Sequence, residues 1–117
     1  MIIRARQEGN TVIFNLEGHL DFETILEFEQ TCTRVLSQGT RPRIIINMQE
    51  LRFVGSSGIN QFVKVLKTIN HKDLKPKIVN VSTEFEKILR ALQSVRNPFD
   101  IFENETQGLL AFDMVPA

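Results

Sequence analysis

Two adjacent serines between glycines, in residues 55–58 (GSSG), are the feature of this sequence with the clearest chemical potential. One hypothesis is a serine hydrolase, with Ser56 as the nucleophile, His19 or His71 as the general base and Asp21 as the residue that orients it. His71 follows the predicted helix at its far end, about a dozen residues at roughly 1.5 Å each from Ser56, which leaves only His19. The nucleophile elbow of such enzymes has the spacing G-x-S-x-G, which GSSG lacks. A loop histidine beside a helix-capping aspartate is also far more often structural than catalytic. The sequence therefore predicts that the protein is not an enzyme.

Motifs for phosphate, metal or cofactor binding are absent from the sequence. The chain contains neither G-x-x-x-x-G-K-S/T nor G-x-G-x-x-G. Its two histidines and its scattered carboxylates do not have the spacing of metal ligands. Cys32 is the only cysteine, so no internal disulfide can form, and its place among apolar residues at helical spacing predicts a packed thiol. No cofactor is predicted.

The length, charge and hydrophobic runs of the chain argue against several classes of protein. The 117 residues are the size of one domain, predicted to span residues 1–117. Fourteen lysines and arginines balance 14 aspartates and glutamates, so no net positive field attracts nucleic acid or an anionic membrane. No secretory leader is recognisable, and no apolar run approaches the roughly 18 residues of a membrane span. We expect a cytoplasmic protein without membrane insertion that binds another protein or a small ligand.

The hydrophobic pattern predicts an α/β fold with the order ββαβαβαβα. The continuous β-branched run at 43–48 is typical of a strand in a sheet that helices cover. Asp21 is predicted to cap the first helix, and Thr83 with Glu86 forms a capping-box pattern. The predicted elements are strands at 2–6, 11–16, 43–48, 77–81 and 100–103, and helices that begin after Asp21, at Ser57, at Thr83 and after Asn104.

The segment before the first helix, residues 18–21 (GHLD), is predicted to break the preceding strand. In the helix that follows, apolar residues recur at intervals of three and four and are predicted to face the core. These residues are Phe22, Ile25, Leu26, Phe28, Cys32, Val35 and Leu36.

The serine pair lies between a predicted central strand and a predicted helix. A serine at a helix start caps unpaired backbone N–H groups, which favours a structural role. The carboxyl edge of a sheet is also where open α/β folds place functional groups, and a serine there is accessible to a kinase. Both roles are compatible: Ser57 is the better candidate for the cap and Ser56 for the modified residue.

Several segments, in order, resemble the STAS domain family, and most closely the small anti-sigma-factor antagonists of bacteria. Residues 14–21 (FNLEGHLD) resemble the strand of this family that ends in G-x-L-D. Residues 44–51 (IIINMQEL) resemble its central strand, and 53–59 (FVGSSGI) its phosphorylation-site loop. Residues 79–82 and 101–103 resemble its later strands. The resemblance implies a single STAS-like domain, a mixed β-sheet with helices packed mainly on one face.

The resemblance also implies a mechanism. Unphosphorylated members bind an anti-sigma factor that is also a serine kinase, which releases the sigma factor for transcription. The kinase, which binds the ATP, phosphorylates the loop serine and so breaks the complex, and a PP2C-type phosphatase restores it. By position the phosphorylated residue is Ser56, and the residues predicted to bind the partner are Asp21, Gly55, Ser56, Ser57, Gly58 and Asn60.

One position departs from the family pattern. The family places an aspartate directly before the serine, and this chain has Gly55 there. Glycine supplies neither the acidic contact nor the favourable charge near a helix N-terminus, and it loosens the backbone. The sequence therefore leaves open a second function, a STAS scaffold subunit of a signalling complex or a lipid-transport system that works without phosphorylation.

Overall fold

The fold is built from five strands and four helices in the part of the chain that the structure, a computed structural model, describes: residues 1–37, 42–52, 57–70 and 75–113. Their order confirms the predicted ββαβαβαβα. The elements are β1 (Ile2–Glu8), β2 (Thr11–His19), α1 (Phe22–Leu36), β3 (Arg43–Arg52), α2 (Ser57–Ile69), β4 (Lys77–Val79), α3 (Thr83–Leu92), β5 (Asp100–Phe102) and α4 (Glu105–Asp113).

The five strands form one mixed sheet in the order β1-β2-β3-β4-β5. β1 and β2 are antiparallel and joined by a two-residue turn, in which Gly9 has a φ of +61°. Such a positive φ suits glycine and is typical of tight hairpins. The remaining pairs are parallel, so β2 to β5 all end at the same edge of the sheet. We call this the carboxyl edge.

Helices α1, α2 and α3 cover one face of the sheet. A row of phenylalanines joins them to β2: Phe14 meets Phe28 edge to face, Phe28 contacts Phe62 at a tilt, and Phe62 stacks on Phe85, with ring centroids 5.9, 6.0 and 6.0 Å apart. All four rings are buried. The smaller α4 lies on the opposite face, which confirms that the helices pack mainly on one face.

The run of isoleucines in β3 is buried on both faces. Ile44 and Ile46 belong to the large core under α1 to α3, whereas Ile45 packs in a small cluster under α4 with Phe112. Side chains alternate between the faces of a strand, so a strand covered on both sides is apolar throughout. This explains why β3 has no polar alternation over these positions.

Charged residues hold α4 on the sheet. Arg43 contacts Asp113 at 3.0 Å and lies over the Phe112 ring, 5.4 Å from its centroid. Lys77, a buried lysine, lies 5.0 Å from the same centroid and pairs with Asp100 at 2.6 Å. A buried lysine needs such a partner, because an unpaired charge in the core is costly.

Two local predictions are corrected by the structure. The sequence predicted that β2 ends at residue 16 and that residues 18–21 break it. Instead, β2 passes a bulge between Asn15 and Glu17 and pairs with β3 as far as His19. In α1, Phe22 and Leu26 were predicted to face the core but are 60% and 40% exposed. They lie on the flank of the helix, while Ile25, Phe28 and Cys32 point into the core.

The cap of α3 is Ser82, not Thr83 as the capping-box pattern predicted. Ser82 has extended backbone angles, and its Oγ accepts a hydrogen bond from the Phe85 backbone N–H at 3.2 Å. Thr83 is already the first helical residue, so its side chain is misplaced for capping. A serine and a threonine in sequence offer two alternative registers, and the fold adopts the first.

This assignment predicts unequal effects of two alanine substitutions. Ser82→Ala should lower the free energy of unfolding by about 1 kcal/mol, because the N–H of Phe85 loses its acceptor. Thr83→Ala should change it by less than about 0.5 kcal/mol, since Thr83 is exposed and alanine is a good helix former. Urea denaturation followed by far-UV circular dichroism measures both. Equal losses in the two variants would contradict the assignment.

Candidate functional site

The predicted site lies at the carboxyl edge, where β2 and β3 end side by side. His19 and Arg52, the last residues of these strands, are register partners. The backbone N–H of Leu20 then donates to the carbonyl of Arg52 at 3.2 Å. This bond ties the β2–α1 connection to the end of β3, so the segment that carries Asp21 is held beside the segment that leads to α2.

Asp21 is the N-cap of α1, as the sequence predicted. It is extended, with φ −139° and ψ 154°, and its Oδ1 accepts from the Thr24 N–H at 2.9 Å. Its Oδ2 accepts from the amino group of Met1 at 2.5 Å. The side chain remains half exposed, so one carboxylate both starts the helix and presents negative charge at the carboxyl edge.

These contacts lower the pKa of Asp21 well below its ordinary value of 3.8. The hydrogen bond from the amino group of Met1 is the main cause, followed by the hydrogen bonds with Thr24. Because the folded-state pKa is the lower one, the ionised carboxylate stabilises the fold at pH values above 3.8, and this contribution is lost as the pH falls through the folded-state pKa. Asp21 is therefore a fixed negative charge at neutral pH.

Gly58 brings the start of α2 against the β2–α1 connection. A Cβ built on Gly58 would lie 3.3 Å from the Cβ of Leu20 and 3.7 Å from Cδ1 of Ile25. A contact of 3.3 Å is tighter than most Cβ contacts in proteins, so glycine permits this approach. Through Leu20 the N-terminus of α2 lies next to Asp21, and the structure joins two of the predicted binding residues that are far apart in sequence.

The other predicted site residues have different outcomes. Asn60 is exposed on the first turn of α2, where a partner can contact it. Ser57 is the first residue of α2, which confirms the predicted start of this helix. Its role as the cap stays a prediction, because its side chain lies outside the described part of the chain. Gly55 and Ser56 also lie outside the described residues, and so does His71. Phosphorylation of Ser56 therefore stays a prediction from the sequence.

The His19 and Asp21 pair does not have the geometry of a catalytic base and its orienting acid. The carboxylate of Asp21 accepts hydrogen bonds from Thr24 and Met1, not from the imidazole. His19 is exposed at the end of β2. A catalytic histidine needs an acceptor that fixes its tautomer and orientation, and Asp21 does not provide it here.

A buried polar network that the sequence did not predict lies close to this edge. Asn47 donates to Oε2 of Glu105 at 2.7 Å, and its own Oδ1 accepts from the Gln49 N–H at 3.0 Å and from Asn80 at 3.2 Å. Arg6 also pairs with Glu105. The network fastens α4 to the carboxyl ends of β3 and β4. Its members are distant in sequence, so no local pattern could have revealed it.

The same edge carries a cavity of about 320 Å³ between the end of β3 and the beginning of α3. Apolar side chains of Met48, Leu51 and Phe85 line it together with polar groups that include Asn80 and Ser82. Within the described ranges, no group of three or more histidine, cysteine, aspartate or glutamate side chains could hold a metal ion. Nor does any helix in those ranges have the length and apolarity needed to cross a membrane.

Cys32 is a buried thiol in the core under α1. Burial raises its pKa to about 12. A thiol with this pKa is almost fully protonated at neutral pH and is a poor nucleophile. The prediction of a packed cysteine is confirmed.

A comparison with models of known protein families shows which family the chain belongs to. The family model described as STAS domain matches residues 3–108. The chain belongs to the STAS domain family. This agrees with the sheet order, with the helices on one face and with the resemblance carried by the strand and loop motifs.

Curated proteins of similar sequence are consistent with membership of the STAS family. The anti-sigma-B factor antagonist of Staphylococcus aureus strain NCTC 8325 is 35% identical over 65 residues, which are 56% of this chain and 59% of that protein. The protein of that name in strain COL matches to the same extent. The chain thus spans somewhat more than half of the length of these curated relatives.

Solved structures show the same STAS fold at low sequence identity. The anti-sigma factor antagonist SpoIIAA in its unphosphorylated form has a TM-score of 0.70 at 18% identity, over 97% of this chain and all of that one. The phosphorylated form of SpoIIAA, a Bacillus cell fate determinant, has a TM-score of 0.63 at 21% identity, over 98% and 100% of the two chains. An anti-sigma factor antagonist from Mycobacterium paratuberculosis has a TM-score of 0.68 at 18% identity, over 94% and 92%.

Proposed function

We propose that this STAS domain is an anti-sigma factor antagonist. It binds an anti-sigma factor that is also a serine kinase, and so controls transcription that depends on a sigma factor. Phosphorylation of Ser56 breaks the complex, and a PP2C-type phosphatase restores it. In this role the chain is a cytoplasmic regulatory protein and the substrate of an enzyme, without catalytic activity of its own.

The meeting of Asp21 and the N-terminus of α2 at the carboxyl edge supports this proposal most. The close approach of Gly58 to Leu20 brings two segments of the family motif together at the carboxyl edge, where we propose the binding surface. Exposed Asn60 extends this surface along α2. Relatives named anti-sigma-B factor antagonist support the same role, and SpoIIAA occurs in both phosphorylation states.

Phosphate on Ser56 would add about −1.5 to −2 charges directly before α2. A kinase that phosphorylates this serine must hold the phosphates of its nucleotide against it. A negative charge on Ser56 is therefore repelled in the complex. In this proposal the added charge changes binding and leaves the fold intact.

One experiment tests the proposal directly. The purified chain is mixed with the purified serine-kinase anti-sigma factor of the same bacterium, and the complex is measured by size-exclusion chromatography with light scattering. We expect a stoichiometric complex that dissociates when Mg-ATP is added, and one phosphoryl group on Ser56. Trypsin should release residues 53–64, which contain both serines, so fragmentation of this peptide distinguishes Ser56 from Ser57.

Gly55 favours a second candidate function, a scaffold subunit that binds constitutively in a signalling complex or a lipid-transport system. It replaces the aspartate that the family places before the phosphorylated serine. A complex that forms and persists in Mg-ATP, with Ser56 unmodified, would support this scaffold. Failure of the chain to bind the kinase at all would exclude the antagonist role.

A further inference from the structure

Phe22 and Leu26 form an exposed apolar pair on α1 that lies outside the hydrophobic core. Phe22 and Leu26 are one helical turn apart, so they lie on the same flank of the helix. They are 60% and 40% exposed, although both are large hydrophobic residues. Isolated exposed leucines are common, but two adjacent apolar side chains beside a candidate binding site form a patch.

This flank of α1 faces the groove between α1 and α2. Near the other ends of the two helices, Thr33 and Leu36 of α1 line a cavity of about 340 Å³ together with Thr68 and Ile69 of α2. Thr33 lies seven residues after Leu26, which is two helical turns along the same flank. The apolar pair therefore borders the α1/α2 groove. On α2, Gln61 and Lys64 lie seven and four residues before Thr68 and share its flank of the helix, so they border the groove from the other side.

The groove is continuous with the candidate site. Phe22 directly follows Asp21, and the preceding Leu20 contacts Gly58 of α2. A protein that covers the start of α2 and the carboxylate of Asp21 is therefore within reach of Phe22 and Leu26.

Charge indicates the chemistry of the occupant. The charged residues in the first half of α1 and at its cap are all acidic: Asp21, Glu23, Glu27 and Glu29. The only basic residue of α1 is Arg34, in its last turn. Asp21 is paired with the amino group of Met1, and Lys64 stands on the α2 side of the groove. The negative charge beside the apolar pair therefore comes from the glutamates of α1, and this α1 rim is complementary to a basic amphipathic surface. A second copy of this chain that met it through the same flank would bring carboxylates together and be repelled.

We propose that the α1 flank formed by Phe22 and Leu26 docks a basic amphipathic helix of the anti-sigma factor. This inference rests on the proposed function and adds a second contact region to it. An amphipathic helix in a groove between two helices is a common mode of recognition, in which apolar residues anchor and charges at the rim orient. The α1 flank provides anchors, and the acidic residues at its rim select a partner with lysines and arginines.

A matched pair of leucines provides the test for the anchors. Leu26 of α1 and Leu110 of α4 are both helical and similarly exposed, at 40% and 51%, but lie on opposite faces of the sheet. Isothermal titration calorimetry with the purified anti-sigma factor kinase should show affinity reduced by at least ~10-fold for Leu26→Ala and for Phe22→Ala. Leu110→Ala should stay within about 2-fold of the wild type, as is usual for a residue outside an interface.

Substitutions at Glu27 test the charge. Glu27→Gln should weaken binding, and Glu27→Lys should weaken it further, with a smaller dependence of affinity on salt than in the wild type. Unchanged affinity in the Leu26, Phe22 and Glu27 variants, with a wild-type chain that binds, would overturn this inference and leave the proposed function standing. A wild-type chain that does not bind would refute the proposed function itself. A dimer of the free chain that Leu26→Ala dissociates would assign the flank to a second copy and overturn the inference.

Discussion

Ser56→Asp is expected to lower the affinity of this chain for its anti-sigma factor by at least ~100-fold, because like charges placed opposite each other cost several kcal/mol. The added carboxylate would oppose the nucleotide phosphates that the kinase must hold against this serine. The circular dichroism spectrum and the melting temperature should stay close to those of the wild type. Isothermal titration calorimetry measures the affinity, and Ser56→Ala should bind like the wild type but accept no phosphoryl group.

Ser57→Asp is the matched control for this prediction. It adds the same charge one residue later, at the first position of α2. Acidic residues are favourable there because of the helix dipole, so this variant should fold normally. Because Ser57 is itself a predicted binding residue, this variant should lose some affinity, but less than Ser56→Asp, whose charge lies on the residue that the kinase is proposed to phosphorylate. Wild-type affinity in Ser56→Asp would contradict the switch and favour the constitutive scaffold.

Phe62→Ala should be the most destabilising single substitution considered, with a loss of about 3–5 kcal/mol in the free energy of unfolding. Phe62 is fully buried on α2 and is the middle of the phenylalanine row, with Phe28 and Phe85 at 6.0 Å on either side. Its removal leaves a cavity between the helix that begins the candidate site and the rest of the core. Urea denaturation followed by far-UV circular dichroism measures this loss without tryptophan or tyrosine, neither of which occurs in the chain.

Phe22→Ala provides the control for the same chemical change at the surface. Phe22 is 60% exposed, so its truncation should change the free energy of unfolding by no more than about 0.5 kcal/mol. The two variants thus separate two roles of phenylalanine: Phe62 should affect stability, and Phe22 should affect partner binding. Similar losses of stability in both would contradict the burial that distinguishes them.

Features that depend on neighbours in sequence were predictable. The order of the elements, the cap at Asp21 and the start of α4 after Asn104 follow from apolar periodicity and from side chains that bond three residues ahead. The buried strand β3 follows from its continuous β-branched run. These are signals within about one helical turn or one strand, which local physical chemistry decides.

The candidate site was predictable only in part. The family motifs identified Asp21 and the start of α2, and the structure brings them together through the contact of Leu20 with Gly58. The polar network of Asn47 and Glu105 had no signal in the sequence, since 58 residues separate the two. The sequence wrongly predicted that Phe22 and Leu26 face the core. The apolar residues of α1 form a stripe that is wider than the part of the helix covered by the sheet and α2.

The sequence by itself determined which segments become strands and helices, and it predicts a serine open to modification directly before α2. Only the tertiary structure decided that Ser82 and not Thr83 caps α3, which apolar side chains of α1 stay at the surface, and that the buried Lys77 has Asp100 as its partner. The physical reason is the distance in sequence over which each kind of interaction acts. Hydrogen bonds and periodicity act over three or four residues, whereas burial and ion pairing depend on which distant segments the sheet places side by side.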